Sequence, residues 1–373
     1  MAECSKRRTR GSLQDPNRLK VSRLFKKSSP NGQLTLFMPK RDLMMKGANG
    51  EVDPIEGVVL VSRKLANREN VKIVVQVALE LRYGREDEEL MGLQFCNEMI
   101  LASETLLPEP CDYVEEFDTH SEDLSQRFGC FLKPFKINIG CSLPPTIRLQ
   151  PTRNYAGSPI GTTYTISVFP SYSDTAVTPP DKKELIHMMF WVSEVFPELI
   201  DIRPTMSISR RSVFKDGEIF LQVGLDRNIY TTGQPINISV VLDLRPPRRI
   251  TRISVVAIQA VDVAMFSSGY FKNEVAAAEE RLGQAVDIYN KTFTIVPKYI
   301  PGKHWVAVAD SNKEGKGKVD QVQKLAASVM IKERSLFIIK VMYFIQVKVS
   351  TGPLQRDLML KIPFLLAPEG KKC

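Results

Sequence analysis

The chain holds little of what an enzyme's active centre is built from. Its three histidines, His120, His187 and His304, lie far apart, with no nucleophile or ligand-type residue beside them at usable spacing. There is no GxSxG elbow, no HExxH helix, no Walker loop and no nucleotide-binding glycine fingerprint. The common hydrolase, zinc and nucleotide chemistries therefore lack their carriers. The six cysteines (4, 96, 111, 130, 141 and 373) include no CxxC pair. Neither a zinc site nor a disulfide framework is expected, and Cys96 and Cys141 read as small apolar packing residues of a reduced, cytosolic protein. No run of 18 apolar residues occurs, and no apolar stretch follows the N-terminal charges. That excludes a membrane-spanning helix and a secretory leader. We expect no enzyme, no cofactor and no metal.

What is present is a globular chain with an excess of positive charge. Hydrophobic content of 43% against 25% charged residues is too apolar for disorder, and 373 residues suit two domains better than one. The net charge of +9 is unevenly placed. Residues 5–27 carry nine bases against Asp15; Arg245, Arg248, Arg249 and Arg252 flank a Pro-Pro turn; Lys313, Lys316 and Lys318 share a Gly-containing stretch. Such fields attract phosphate, anionic lipid or nucleic acid without choosing among them, and a solvated loop is the plainer alternative for each. The KRRTR run near the start reads either as a nuclear-type patch or as a disordered arm.

Strand signals dominate. QLTLF, GVVLV, VKIVVQVALELRY, FKINI, TYTISVF, IFLQVGL, INISVVLDL, ITRISVVAIQAVDVAMF, KTFTIV, LAASVMI, LFIIKVMYFIQVKV and LMLKIPFLL are alternating or wholly apolar runs, most bounded by Gly, Pro, Asn or Asp. One helix is expected over 115–128, ending before Gly129, with Leu124 and Phe128 on one face. The segment from Gln33 to Leu60 is echoed coarsely by Glu218 to Leu244, each running strand, charged step, turn and strand. Two tandem immunoglobulin-like β-sandwiches would read this way, with a proline-rich boundary near 196–206. The expected fold class is all-β, with a basic arm at 1–20, domains at 21–196 and 206–368, and a short tail at 369–373.

Four elements in order and spacing carry a resemblance: the Lys26-Lys27 pair after Phe25, the KRD triplet ending in Asp42, the DPIEGVV step from Asp53, and RYGRED from Arg82. In these the chain resembles the arrestins, over roughly 21–368. The resemblance implies a non-enzymatic cytoplasmic adaptor, recruited to the plasma membrane, that binds active G-protein-coupled receptors and blocks G-protein coupling. It also brings receptor desensitisation, internalisation and a sensory role into view. Lys26, Lys27 and Arg127 fall where the family meets receptor phosphates. Glu86, Asp87, Glu88, Glu89, Leu90, Met91, Gly92 and Leu93 fall on its finger loop, which enters the receptor's cytoplasmic cavity. Leu24 and Phe25 with Leu124 and Phe128 match an apolar strand–helix contact, for which plain core packing is the better reading.

The resemblance also implies a buried charge cluster, the polar core, that phosphate disrupts. Asp42 matches its first aspartate. Against the family's IRKV pattern, Val192-Ser193-Glu194-Val195 places Ser193 where the phosphate-sensing arginine belongs, with Arg203 the nearest substitute. Asp310 fits a second aspartate; Val322 falls on the third, with Asp320 two residues away. The chain stops at Cys373, so no tail arginine and no clathrin or clathrin-adaptor motif is expected. Without arginines, Asp42 and Asp310 would repel and raise each other's pKa, which implies weakened phosphate gating. Arg252 and Lys348 match two bases of the family's inositol-phosphate site, whose ligand would be a phosphoinositide or inositol hexakisphosphate. No nucleic acid is expected as a partner. The alternatives are a divergent trafficking or signalling scaffold that binds no receptor, and a binder of anionic surfaces known by its salt sensitivity alone.

Overall fold

The computed structural model describes residues 24–46, 51–83, 95–106, 132–140, 143–150, 160–172, 181–194, 202–211, 217–264, 268–300, 305–309, 324–329, 338–351 and 357–368. Within them the chain is nearly all strand, as expected, in four sheets. The first sheet runs β1 (Phe25–Ser28), β2 (Leu34–Met38), β5 (Ile55–Val61), β8 (Leu132–Ile137). It faces a second, nine-stranded sheet. That sheet contains β3 (Asp42–Lys46), β4 (Glu51–Val52), β6 (Lys72–Tyr83), β7 (Phe95–Leu106), β9 (Ile147–Gln150), β10 (Gly161–Ser171) and β11 (Ile186–Glu194). Its last two members come from far along the chain: β19 (Val306–Ala309) and β20 (Lys324–Leu325).

The third sheet is β12 (Thr205–Arg211), β13 (Glu218–Leu225), β15 (Ile236–Arg249), β18 (Ala285–Ile295). The fourth is β14 (Ile229–Thr231), β22 (Leu358–Ala367), β21 (Ile338–Ser350), β16 (Arg252–Ala264), β17 (Ser268–Arg281). Alternation explains the pairing of faces. In β22, Leu358, Leu360, Ile362, Phe364 and Leu366 are buried while Met359, Lys361 and Pro363 are exposed. A period of two puts one face of each strand in a core. Each fully buried Leu, Ile or Phe contributes about 1.5–3 kcal/mol.

Two cores result, one from the first two sheets and one from the last two. The second core also takes in Ile147, Leu149 and Ile160 from β9 and its approach to β10, alongside Val306, Ala307 and Val308 of β19. So β9 and β19 tie the two halves together: Val306 pairs with Gln150, Ala307 with Leu149 and Val308 with Arg148.

Two details depart from the sequence reading, and the helix expected at 115–128 lies outside the described residues. A four-residue helix, α1 (Arg63–Ala66), closes the turn after β5, capped by the Ser62 side chain accepting from the Leu65 N–H and anchored by buried Leu65. Of the described residues of the LAASVMI run, 325–329, Leu325 alone is strand. Beyond it the N–H groups of Ala326, Ser328 and Val329 donate to Ala307, Leu366 and Val341, three separate strands rather than one ladder. Among the described residues no helix is long and apolar enough to cross a membrane.

Candidate interdomain site

Beside the β9–β19 junction lies a cavity of about 550 Å³. Its walls come from the segment 39–44 entering β3, from the end of β11, and from 324–329 with Thr232 and Pro368 of the later half. Ile186, Met188, Phe190 and Val192 of β11 are buried, and the last four residues of the strand, Trp191 to Glu194, line the cavity.

β3 and β11 are parallel neighbours, and their register fixes who meets whom. Trp191 is opposite Asp42, and Ser193 is opposite Met44, two residues further on. The Trp191 N–H donates to the Arg41 carbonyl at 2.7 Å. The position facing Asp42 is therefore Trp191 and not Ser193, because ladder register rather than local spacing sets the partner. Arg203 is exposed and is not among the lining residues.

Among the described residues, the cation that acts on Asp42 is its own neighbour, Arg41. Arg41 is only 7% exposed, which for a guanidinium demands partners on every side. Its Nε donates to the Met189 carbonyl at 2.9 Å, and its Cζ lies 4.7 Å from the Trp191 ring centroid and 5.3 Å from that of Phe25. Burial raises the pKa of the Asp42 carboxyl, and the Arg41 charge opposes that shift. Desolvation at the cavity wall is the larger cause of the shift among the described residues; Asp310 and Asp320, whose repulsion the sequence suggested, lie outside the described residues. Among the described residues the charged lining is balanced, with Lys40, Arg41 and Lys324 against Asp42, Asp53 and Glu194. Asp53 also accepts the Met44 N–H at 3.2 Å, which holds β3 against the turn into β5. Sequence reasoning singled out Asp42 but missed Arg41, Trp191, Glu194 and Lys324. Arg41 stood in the quoted KRD triplet, and only its low exposure gives it weight.

The other expected residues fall at three further places. Lys26 and Lys27 on β1 are both exposed and point to opposite faces. The Lys26 Nζ stands 5.8 Å from the Phe37 ring centroid, while the Lys27 Nζ donates to the His187 carbonyl at 2.5 Å. Leu24 is exposed, and Phe25 packs half-buried on the first core. Arg127, Leu124 and Phe128 lie outside the described residues, as do the finger-loop residues Glu86, Asp87, Glu88, Glu89, Leu90, Met91, Gly92 and Leu93. The flanking strands β6 and β7 end on the pair Tyr83 and Phe95.

Arg252 and Lys348 do come together. Arg252 is opposite Ser350, and Ser254 is opposite Lys348, so the two bases lie diagonally on adjacent strands. Each is already met by a carboxylate: Arg252 Nη1 to Glu279 at 3.6 Å, and Lys348 Nζ to Asp357 at 2.6 Å. The hydrogen bond from Lys348 holds the Asp357 carboxyl below its usual range, with Arg252 adding to the effect.

Comparison with known proteins gives a consistent picture. Residues 215–369 match the family model described as "Arrestin (or S-antigen), C-terminal domain". The "Arrestin homolog" of Locusta migratoria is 30% identical over 352 residues, covering 92% of this chain and 84% of that protein. "Phosrestin-2" of Calliphora vicina is 29% identical over 350 residues, covering 92% of this chain and 94% of that protein. "Arrestin, lateral eye" of Limulus polyphemus is 27% identical over 355 residues, covering 92% of this chain and 84% of that protein.

Proposed function

From the premise that this chain belongs to the arrestin family, we propose that it is a non-enzymatic adaptor that binds the cytoplasmic face of active G-protein-coupled receptors and blocks G-protein coupling, with weakened gating by receptor phosphate. In this reading it is cytoplasmic and recruited to the plasma membrane, with domains at 21–196 and 206–368. The finger-loop residues Glu86 to Leu93 enter the receptor's cavity, where acids meet a basic rim and apolar tips fill the space. Lys26, Lys27 and Arg127 meet phosphate when the receptor carries it.

The observation that carries the reading of the gate is the register of β3 on β11. The residue opposite Asp42 is the uncharged Trp191, so no cation comes from that position for phosphate to draw away. A switch built on buried charges works because an orphaned charge costs several kcal/mol. Where the opposing position is an indole, phosphate has less to disrupt. Inositol hexakisphosphate at Arg252 and Lys348 would have to displace Glu279 and Asp357, so we expect binding there to be weak and sensitive to salt.

The test is competition with G protein for an active receptor in nanodiscs, comparing the parent chain with a variant in which Glu86, Asp87, Glu88 and Glu89 become Gln or Asn. We expect the parent to compete and the variant to lose most of its affinity. Failure of the parent on every receptor state would remove the receptor role and leave a trafficking or signalling scaffold.

A further inference from the structure

Arg41 is buried against two aromatic rings where three separate elements meet. Phe25 comes from β1, Arg41 from the step into β3 and Trp191 from β11. β1 is four residues long and, among the described residues, lies at the edge of its sheet and pairs with β2 alone. A strand that short and that exposed gains little from its ladder. What else holds it on its inner side is visible: the Phe25 ring on the Arg41 guanidinium, and the Lys27 ammonium on the His187 carbonyl of β11. The guanidinium is planar and weakly hydrated, so it can exchange water for ring faces as an ammonium cannot. Its Nε–H donates to the Met189 carbonyl, which holds the plane against β11.

We propose that Phe25, Arg41 and Trp191 form a cation–π clasp that fastens β1 to β11 and holds the wall of the interdomain cavity in place. The inference rests on reading the cavity as the control point of the molecule. It assigns Arg41 and Trp191 as positioning residues, which act through the strands they hold. A lock of this kind differs from a charge network in how it meets salt. Ion pairs that reach water weaken as the screening length falls from about 10 Å at 0.1 M to about 3 Å at 1 M. A guanidinium lying 93% out of solvent on ring faces is shielded from added ions. The other charges of the lining (Lys40, Asp42, Asp53, Glu194 and Lys324) would respond to salt, and the clasp would not.

The experiment is amide hydrogen exchange on the full chain without receptor, read over peptides covering β1 and β11, at about 0.1 and about 1 M NaCl. Arg41→Met, Arg41→Lys, Trp191→Leu and Phe25→Leu are compared with the parent, and β21 serves as the internal control for global folding. We expect parental protection of β1 to be the same at both salt concentrations. Each variant should exchange about 5- to 30-fold faster over β1, the factor that one to two kcal/mol produces, with β21 unchanged. Arg41→Lys should resemble Arg41→Met, because charge without the planar group does not stack. If Arg41→Met fails to fold, the half-buried Phe25→Leu still carries the test. Unchanged β1 exchange in Trp191→Leu or Phe25→Leu would overturn the proposal. So would parental protection that collapses at high salt to the level of Arg41→Met. Because no receptor is present, failure of the receptor reading leaves this result standing, and failure of the clasp leaves receptor binding to be measured separately.

Discussion

Gln259 is the residue whose loss should do most to separate the two halves. It sits on β16 with no exposed surface. Its side-chain amide acts as a strand neighbour for Ala307 on β19: Nε2 donates to the Ala307 carbonyl and the Ala307 N–H donates to Oε1, both at 2.9 Å. The second Nε2 hydrogen goes to the Tyr343 hydroxyl at 2.7 Å, and that hydroxyl donates to the Ala326 carbonyl at 2.6 Å. Two bonds thus pin β19 from below, a third ties the amide to β21, and β9 pairs with β19 from the side. In Gln259→Leu the Ala307 carbonyl keeps the Ala326 N–H, and Tyr343 keeps its acceptor, but the Ala307 N–H is left buried without a partner. An orphaned buried donor costs about 1–3 kcal/mol and each lost bond about 0.5–1.5 kcal/mol. The added apolar volume of leucine returns part of this, for an expected loss of about 2–4 kcal/mol. Urea unfolding followed by circular dichroism gives the loss. Hydrogen exchange over 306–309 and 147–150 should rise before that of β21. A loss below about 0.5 kcal/mol, within the range of neutral surface changes, would refute the view that this amide couples the halves.

Two further perturbations probe the same region. Burial raises the Asp42 pKa from an ordinary value of 3.8, so its ionised form costs stability above the raised value and the cost vanishes below the ordinary one. Asp42→Asn should therefore be slightly more stable than the parent at pH 7, by under about 1 kcal/mol because the residue still touches water. That gap should close as the pH is lowered through 4 in a urea titration; a gap that widens on acidification would contradict the assignment. Gly161→Ala places a methyl group 2.4 Å from the Ile147 carbonyl oxygen and 3.1 Å from the Arg148 Cα, where β9 crosses close to β10. Backbone must move to admit it, and we expect a loss of about 1–3 kcal/mol with weakened exchange protection of β9; a variant as stable as the parent would show that β9 has room to shift.

Much of this architecture was legible in the sequence, and the parts that were not share a cause. The strands of both cores announce themselves because residues such as Leu358, Leu360, Ile362 and Phe364 alternate with polar or exposed neighbours. β17 was passed over because NEVAAAEER has the alanine and glutamate content of a helix; a long antiparallel ladder with β16 overrides that preference. α1 is one turn long, too short for any periodicity to register. At the site, the motif pointed to Asp42 and the spacing set Ser193 against it, whereas the ladder sets Trp191 opposite Asp42 and Ser193 opposite Met44. The proline-rich approach to β11 loosens any count of spacing, and only the parallel pairing of β3 with β11 fixes Trp191 in place. Arg41 carried no signal in the sequence beyond its place in a triplet, since its burial depends on Phe25 and Trp191 arriving from elsewhere in the chain.

The most direct measurement is the ratio of affinities for one active receptor in its phosphorylated and unphosphorylated forms, taken for the parent and for Trp191→Arg. With an indole opposite Asp42, we expect the parent to bind both forms within about tenfold, a difference of about 1.4 kcal/mol, and Trp191→Arg to widen that ratio by weakening binding to the unphosphorylated form. A parent that binds the phosphorylated receptor a hundredfold or more tightly, a difference of about 2.7 kcal/mol, would contradict the account at its centre.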